Sequence, residues 1–306
     1  AYQSVLAGAR ELTLFHLGDL VQEHPGDALL AAALPELTEL ASRVRGQPPR
    51  GIAFYKPPSS DADDNLYLAD YLAMLGLPIV PEARYPGAAR VAILGAQATA
   101  DPQLLDKLRR HLATGATLVL TPALMRRLGA PVERLSGARV SAEPQPGAAV
   151  ELSGLKLTTP LELDLGLTAP ANLTRMTVSA AGRRVPWLTA RRAGGGRLLV
   201  WNLRTFSEQD YDDVGEVLLP PKKRGLPNLP QPVADEVRRL LLAPLGLRLS
   251  APARVAFYLL GDSACFYNFL DRAVRIQLNG RVLAVGPNQA VYLDSYRNVT
   301  DSGRSQ

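Results

Sequence analysis

Apolar residues recur with two alternating spacings over the first 130 residues of the chain. Helical spacing predicts a long helix over residues 25–44 and two shorter helices, one capped by residues 59–61 and one beginning at residue 101. Short apolar runs between the helices predict buried strands, at residues 51–55, 78–80, 90–94 and 116–120. Strands that alternate with helices in this way predict a mostly parallel sheet that helices cover on both faces.

The spacing of apolar residues changes to two between residues 136 and 192, where leucines stand two positions apart. This period, together with frequent proline and glycine, predicts a β-rich insertion. The turn Gly194-Gly195-Gly196 then leads into residues 197–203, a strand that we expect to rejoin the parallel sheet. A helix is predicted next, at residues 233–245.

The last part of the chain, residues 250–295, is again typical of strands. Asn279-Gly280 between two of them is a strong hairpin signal. The strands are predicted at residues 255–260, 274–278, 282–285 and 290–293. The predicted fold class is therefore α/β, with a parallel sheet, a β-rich insertion and a small C-terminal antiparallel β domain.

The chain has 306 residues, of which 47% are hydrophobic and 21% charged, as in ordinary globular proteins. Its net charge of +5 would be compatible with nucleic-acid binding. The arginines, however, stand in scattered pairs beside apolar runs, which is typical of solvated helix and strand edges. We therefore predict that no nucleic acid is bound, because phosphate tracking needs a contiguous basic face. The pairs are Arg109-Arg110, Arg126-Arg127, Arg183-Arg184, Arg191-Arg192 and Arg238-Arg239.

Cys265 is the only cysteine, which excludes an intramolecular disulfide and a thiolate metal site. Its apolar surroundings predict a buried core thiol. The chain has no signal-peptide pattern and no apolar run long enough to cross a membrane, and we expect a cytoplasmic location. Because it begins without methionine, we also expect that it belongs to a longer polypeptide.

Two acidic clusters follow predicted parallel strands, and open α/β sheets often bind ligands outside the carboxyl ends of such strands. Both clusters are therefore expected at one crevice, where the oxygen atoms of the first could hold a divalent cation and the carboxylates of the second could bind sugar hydroxyls. We favour purely structural roles over ligand binding for both clusters. The first would cap a helix, and the second would consist of solvated acidic side chains in a loop. No metal site is predicted. The residues are Asp61, Asp63, Asp64 and Asn65 in the first cluster, and Glu208, Asp210, Asp212 and Asp213 with Tyr211 in the second.

No complete catalytic site is visible in the sequence. The three histidines, His16, His24 and His111, share no ligand spacing, and His111 is predicted to lie on the surface of a helix. Neither a Gly-x-Ser-x-Gly nucleophile elbow nor a phosphate-binding glycine pattern is present. We predict no catalytic residue and no cofactor.

Residues 90–124, a strand, a helix and the turn Thr114-Gly115-Ala116-Thr117-Leu118-Val119, resemble the trimerisation domain of the β-galactosidases of glycoside hydrolase family 42. Residues 1–21 look like the last helix and eighth strand of that family's (β/α)8 barrel. Phe266-Tyr267-Asn268-Phe269 and the following strand are similar to its small C-terminal β domain. The insertion matches nothing recognisable. The resemblance implies a barrel remnant at residues 1–47, a trimerisation domain at 48–248 and a C-terminal β domain at 249–306.

The trimerisation domain is itself similar to class I glutamine amidotransferases, which implies a flavodoxin-like parallel sheet. The turn that would carry their cysteine nucleophile reads Gly95-Ala96-Gln97-Ala98 here, so the resemblance excludes amidotransferase chemistry. A retaining glycosidase needs two carboxylates about 5 Å apart. In the resembling family both come from earlier barrel strands, so hydrolysis would require an upstream barrel.

The resemblance implies a non-catalytic C-terminal region of a β-galactosidase-like enzyme, which forms a homotrimer and completes a pocket for a galactoside-like carbohydrate. Phe15 and His16, at the end of the supposed eighth strand, would contact the sugar. Two alternatives stay open: a stand-alone carbohydrate- or metabolite-binding module on a catalytically inactive amidotransferase-like fold, and a purely structural interaction protein.

Overall fold

The computed structural model describes residues 2–6, 25–207, 210 and 224–296. Within them, the helices are α1 (Tyr2–Leu6), α2 (Pro25–Val44), α3 (Leu68–Met74), α4 (Leu104–Ala113), α5 (Pro122–Leu128), α6 (Ala130–Ser136) and α7 (Gln231–Leu242). Single 3₁₀ turns lie at Asp63–Asn65, Ala96–Ala100, Leu226–Asn228 and Ala243–Leu245.

The strands, in chain order, are β1 (Pro49–Arg50), β2 (Ile52–Tyr55), β3 (Ile79–Glu82), β4 (Val91–Leu94), β5 (Thr117–Leu120), β6 (Pro146–Leu152), β7 (Leu155–Asp164), β8 (Thr174–Ala180), β9 (Arg183–Ala193), β10 (Gly196–Trp201), β11 (Leu249–Ser250), β12 (Val255–Leu260), β13 (Ser263–Asn268), β14 (Val274–Leu278), β15 (Arg281–Val285) and β16 (Ala290–Leu293). The elements that were predicted within the described residues are present, although the helix expected after residues 59–61 begins only at Leu68. Strand β13 was not predicted separately.

The largest sheet in the described part of the chain has nine strands in the order β3-β2-β4-β5-β10-β9-β8-β6-β7. The first five are parallel to one another, and the remaining four continue the sheet in antiparallel fashion. The prediction of a mostly parallel sheet was therefore too simple. The insertion extends the main sheet because β9 joins β10 through Gly194 and Gly195, whose φ angles of 59° and 94° suit a two-residue hairpin turn. So short a turn permits only antiparallel pairing.

Alternate residues of the parallel strands face two separate cores. Ile52 and Phe54 of β2 point to the same side as Val91 and Ile93, where α3 and α7 pack. The residues between them point to the other side, where α4, α5 and α6 pack. Both faces are thus buried, as a doubly wound sheet requires, and the strand ends are left as the places where polar groups gather.

Two smaller antiparallel sheets contain the C-terminal strands, in the orders β1-β12-β13-β16 and β11-β14-β15. Asn279 and Gly280 form the predicted turn between β14 and β15, with φ angles of 49° and 89°. Phe257 and Phe266 stack in parallel across β12 and β13, with ring centroids 4.7 Å apart. These strands share one hydrophobic core with a face of the large sheet.

The N-terminal helices α1 and α2 pack on the sheet that contains β12 and β13. Leu37, Leu40 and Val44 of α2 are buried there against Leu260 and Cys265. The first half of α2 is less covered, with Leu29 73% and Leu34 51% exposed. Residues 7–24, which include the supposed eighth barrel strand, lie outside the described residues, and the proposed barrel remnant at residues 1–47 stays a prediction. No helix in the described part is long and apolar enough to span a membrane.

Candidate functional site

The parallel strands follow the order second, first, third, fourth, fifth, so the winding direction reverses between β2 and β4. In open α/β sheets, ligands often bind at such a switch point, outside the carboxyl ends of the strands. The loops that leave β2, β4, β5 and β10 all meet at this edge. We define this edge as the switch-point edge.

Asn65, which is 2% exposed, connects these loops. Its Oδ1 accepts hydrogen bonds from the backbone N–H of Ala96 at 3.0 Å and from Oγ1 of Thr121 at 2.7 Å. Its Nδ2 donates to the carbonyl oxygen of Leu203 at 3.4 Å. One side chain from the loop after β2 therefore satisfies polar groups that follow β4, β5 and β10.

Gln97 fills the space beside Asn65. Its Nε2 donates to the carbonyl oxygen of Tyr55 at 3.4 Å, while its Oε1 is buried without a hydrogen-bond partner among the described residues. A Cβ on Gly95 would lie 2.7 Å from this Oε1 and 3.1 Å from Oδ1 of Asn65. The space outside the carboxyl ends of β2 and β4 is thus occupied by the protein's own amide side chains, and Gln97 lies on the turn Gly95-Ala96-Gln97-Ala98 that follows β4.

Asp61 and Asp63 bind the guanidinium group of Arg127, each at 3.1 Å. Asp61 also accepts a hydrogen bond from the backbone N–H of Asp63 at 2.8 Å. That bond and then Arg127 lower the pKa of Asp61. The helix cap expected from this cluster is not formed, because neither the 3₁₀ turn Asp63–Asn65 nor the helix that follows it has a side-chain hydrogen bond at its N-cap residue. The helix begins only at Leu68, because Tyr67 adopts a left-handed conformation with φ of 58°.

Asp64 lies deeper and pairs with Nε of Arg204 at 3.0 Å. Burial raises the pKa of Asp64, although Arg204 opposes the shift. The backbone beside it forms an antiparallel bridge between Leu66 and Phe206, and the N–H of Thr205 donates to the Asp64 carbonyl oxygen at 2.8 Å. The structure thus brings together the loops that follow β2 and β10.

Asp210 accepts hydrogen bonds from the backbone N–H and the hydroxyl group of Ser207, at 2.8 and 2.9 Å. Burial would raise the pKa of Asp210, but these bonds and Arg224 at 3.0 Å lower it. Arg224 also binds Glu162 at 3.4 Å and lies 5.0 Å from the centre of the Phe206 ring. The other predicted site residues, Phe15, His16, Glu208, Tyr211, Asp212 and Asp213, lie outside the described residues.

Each described carboxylate of the two predicted clusters is therefore held by an arginine. The sequence did not reveal these partners, because Arg127, Arg204 and Arg224 lie far along the chain from the acids that they bind. Among the described residues, no group of three or more histidine, cysteine or acidic side chains is arranged to hold a metal ion. Beside these paired charges, the ring of Tyr67 packs on the ring of the buried Phe206, with centroids 5.6 Å apart.

Two side chains that were predicted to lie on the surface are buried. His111 is 2% exposed, with Nε2 2.7 Å from the carbonyl oxygen of Ala89 and Nδ1 3.2 Å from the hydroxyl group of Tyr85. The loop between β3 and β4 covers this helix, which the helical pattern alone could not reveal. Arg238 is fully buried, so its pair with Arg239 is not a solvated edge.

One family model, described as "Uncharacterized protein SSO3021, second domain", matches residues 49–138. No curated protein matches the chain in sequence. The fold is similar to that of Gan42B, a GH42 β-galactosidase from G. stearothermophilus, with a TM-score of 0.50 and 12% identity over 85% of this chain and 43% of that one. It is also similar to the polyextremophilic β-galactosidase of the Antarctic haloarchaeon Halorubrum lacusprofundi, with a TM-score of 0.51 and 16% identity over 84% and 42%.

The chain thus spans less than half the length of either β-galactosidase. At these identities the likeness shows a shared fold for part of such an enzyme: a mixed α/β arrangement with a large mixed sheet and smaller antiparallel sheets.

Proposed function

We propose that this chain is the non-catalytic C-terminal region of a β-galactosidase-like glycoside hydrolase, where it supports oligomerisation and completes the sugar pocket. The observation that carries the proposal is the fold likeness, which covers 84–85% of this chain but only 42–43% of each β-galactosidase. A catalytic barrel would accordingly be supplied by another part of a longer polypeptide.

The arginine-paired carboxylates support a non-catalytic role for the described residues. Asp61, Asp63, Asp64 and Asp210 each contact a guanidinium group within 3.1 Å. A glycosidase needs one carboxyl group that stays protonated and a second, free carboxylate at a fixed separation. Carboxylates held in this way stabilise the loops of the switch-point edge instead of attacking a sugar.

The exposed half of α2 supports an assembly role. Leu29 and Leu34 are 73% and 51% exposed, and alanines surround them on the same stretch of helix. Apolar side chains that are left uncovered in this way are typical of surfaces that another domain or subunit buries. We propose that a barrel domain or a further subunit of a homotrimer packs here, with Phe15 and His16 of the neighbouring segment directed to a galactoside-like ligand in a cytoplasmic enzyme.

The test begins with the polypeptide as its source produces it. We expect an intact mass well above the 32.9 kDa of this chain, and hydrolysis of a chromogenic β-galactoside by that polypeptide but not by this chain alone. A natural product of 32.9 kDa, or galactoside hydrolysis by the chain alone, would contradict the proposal.

The assembly role is tested on the long polypeptide by light scattering. Leu29→Asp combined with Leu34→Asp is expected to dissociate the oligomer or to expose the barrel, with loss of activity. Val150→Asp, which changes a side chain that is 58% exposed on β6, is the matched control and should leave both assembly and activity unchanged. If the two variants behave alike, the exposed half of α2 is not part of the interface.

A further inference from the structure

We propose that the edge of the large sheet opposite the switch-point edge binds an anionic oligosaccharide, whose carboxylate or sulfate groups pair with a row of arginines. This edge holds the amino ends of β4, β5 and β10. The saccharide character of the ligand rests on the proposed function, whereas its negative charge follows from the contacts below.

The central feature is a pair of arginines that face each other on neighbouring strands. Arg192 of β9 and Arg197 of β10 are direct partners in the antiparallel register, so their side chains leave the same face of the sheet. Neither forms an ion pair with a described residue. Like charges placed directly opposite each other destabilise a sheet, so this pair needs a reason outside folding stability.

Both arginines line a cleft of about 350 Å³, together with Thr117 and Pro244. We name it the amino-edge cleft. Arg90, which precedes β4, reaches the same place, since its guanidinium group is 3.5 Å from the carbonyl oxygen of Pro244. The hairpin turn at Gly194 and Gly195 carries no side chains, so access to the arginines stays open.

A larger cleft of about 1090 Å³ adjoins the first, and Ala243 lines both. Arg239 and Arg248 contribute positive charge to it, and Gln277 contributes a side-chain amide that can bind hydroxyls, whereas the Ser250 hydroxyl already donates to Asp235 at 2.6 Å. Arg239 forms an ion pair with Glu236 on its own helix, whereas Arg248 forms no ion pair with a described residue. The two clefts form a basic groove around the 3₁₀ turn Ala243–Leu245.

The residues that line the two clefts indicate which class of ligand the groove can bind. Among the described residues, no acidic side chain lines either cleft, so the groove favours anions. No aromatic side chain lines it either, and single-stranded nucleic acid relies on aromatic rings that stack on its bases. Arginine binds carboxylate and sulfate in a planar, two-pronged geometry. An oligosaccharide that carries such groups matches both the positive charge of the groove and the side-chain amide of Gln277, which can bind hydroxyls.

The experiment is a fluorescence anisotropy titration of the protein with labelled oligosaccharides of equal length: a galacturonate tetrasaccharide, a sulfated galactose tetrasaccharide and neutral galactotetraose. A single-stranded oligonucleotide is the fourth probe. We expect one or both acidic probes to bind about tenfold or more tightly than the neutral sugar and the oligonucleotide, with an affinity that falls as salt rises. Which acidic probe binds better distinguishes carboxylate from sulfate recognition.

The double variant Arg192→Gln/Arg197→Gln should weaken acidic binding by about tenfold or more, because two charge-assisted contacts are lost. Its melting temperature should stay the same or rise, since the like-charge pair is gone, whereas a structural role would lower it. The control variant Arg175→Gln/Arg184→Gln removes the same charge from exposed positions outside the groove and should bind like the parent protein.

Three results would overturn the inference: no preference for acidic over neutral sugar, equal loss of binding in the control variant, or tighter binding of the oligonucleotide. None of these depends on galactoside hydrolysis. A protein that binds acidic sugars but belongs to no galactosidase would refute the proposed function and leave the basic groove established.

Discussion

Nε of Arg238 donates a hydrogen bond to the carbonyl oxygen of Leu75 at 2.6 Å, which ties α7 to the end of α3. The same guanidinium group binds Asp235 at 2.5 Å, the carbonyl oxygen of Pro252 at 3.0 Å and the carbonyl oxygen of Ala251. Burial lowers the pKa of Arg238, and Asp235 opposes that shift. A single buried side chain therefore joins the face of the large sheet to the start of the C-terminal strands.

Replacing this arginine is expected to weaken the junction strongly. Arg238→Met should lower the free energy of unfolding by about 3 to 5 kcal/mol, because Asp235 and the backbone carbonyl groups lose their partner inside the protein. Urea unfolding followed by circular dichroism measures the change. Arg239→Met on the same helix is the control, since its side chain is 63% exposed and its pair with Glu236 should be worth less than about 1 kcal/mol. If both variants lower the free energy of unfolding equally, the buried contacts of Arg238 do not stabilise the junction more than the exposed pair of Arg239 does.

The hydrogen bonds of Asn65 make a second prediction. Asn65→Ala should destabilise the protein by about 2 to 4 kcal/mol, because the Ala96 amide, the Thr121 hydroxyl group and the Leu203 carbonyl oxygen would be buried without it. Thermal unfolding measures the effect. Asn172→Ala, at an exposed turn before β8, is the matched control and should change the stability by less than about 0.5 kcal/mol. A tolerated Asn65→Ala would mean that water replaces the side chain.

The strands and helices could be predicted from the sequence because burial leaves an apolar pattern on each of them. Both faces of β2 are buried, so this strand is a continuous apolar run. In α4, Leu104, Leu108 and Leu112 face a single core and recur at helical spacing. The turns Asn279-Gly280 and Gly194-Gly195 were also visible, since few other residues adopt their φ angles.

The partners of the charged side chains could not be predicted in the same way. Asp64 and Arg204 are separated by 140 positions, and only the strand order brings them within 3.0 Å. The antiparallel extension of the sheet was missed for a related reason. Apolar residues at every second position predict a strand, but they do not indicate the strand with which it pairs. The arginines show the same limits of the sequence. Nothing in the sequence indicated that Arg238 is buried, or that Arg192 and Arg197 face each other on neighbouring strands.

The reactivity of Cys265 gives a third prediction. The thiol is fully buried in the described structure, and burial raises its pKa to about 12. Because the thiolate is the nucleophile, we expect no reaction with a disulfide reagent such as DTNB at pH 8 in the native protein, and one thiol per chain after denaturation. Rapid labelling under native conditions would show that the sheet of β12 and β13 opens readily. The time course of absorbance distinguishes these results.

Asp101 makes the stability dependent on pH. Burial would raise its pKa, but hydrogen bonds from Lys107 at 2.7 Å, Tyr55 at 2.9 Å and the Gln103 amide at 3.0 Å lower it below the ordinary value of 3.8. A carboxylate whose pKa is depressed on folding contributes stability that is complete above the unfolded pKa, about 4. That contribution is lost as the pH falls through the lower folded value.

Asp101→Asn is therefore expected to be less stable than the parent protein near neutral pH, and the difference should shrink as the pH falls below about 4. Urea unfolding at a series of pH values measures the two curves. Asp106→Asn on α4 is the control, because that side chain is 74% exposed in its pair with Arg109 and should leave the curve nearly unchanged. Several other carboxylates also titrate in acid, so the difference between variant and parent, rather than either curve alone, isolates Asp101. A difference that stays constant from neutral to acid pH would mean that the lost packing of Asp101, and not its charge, governs the effect.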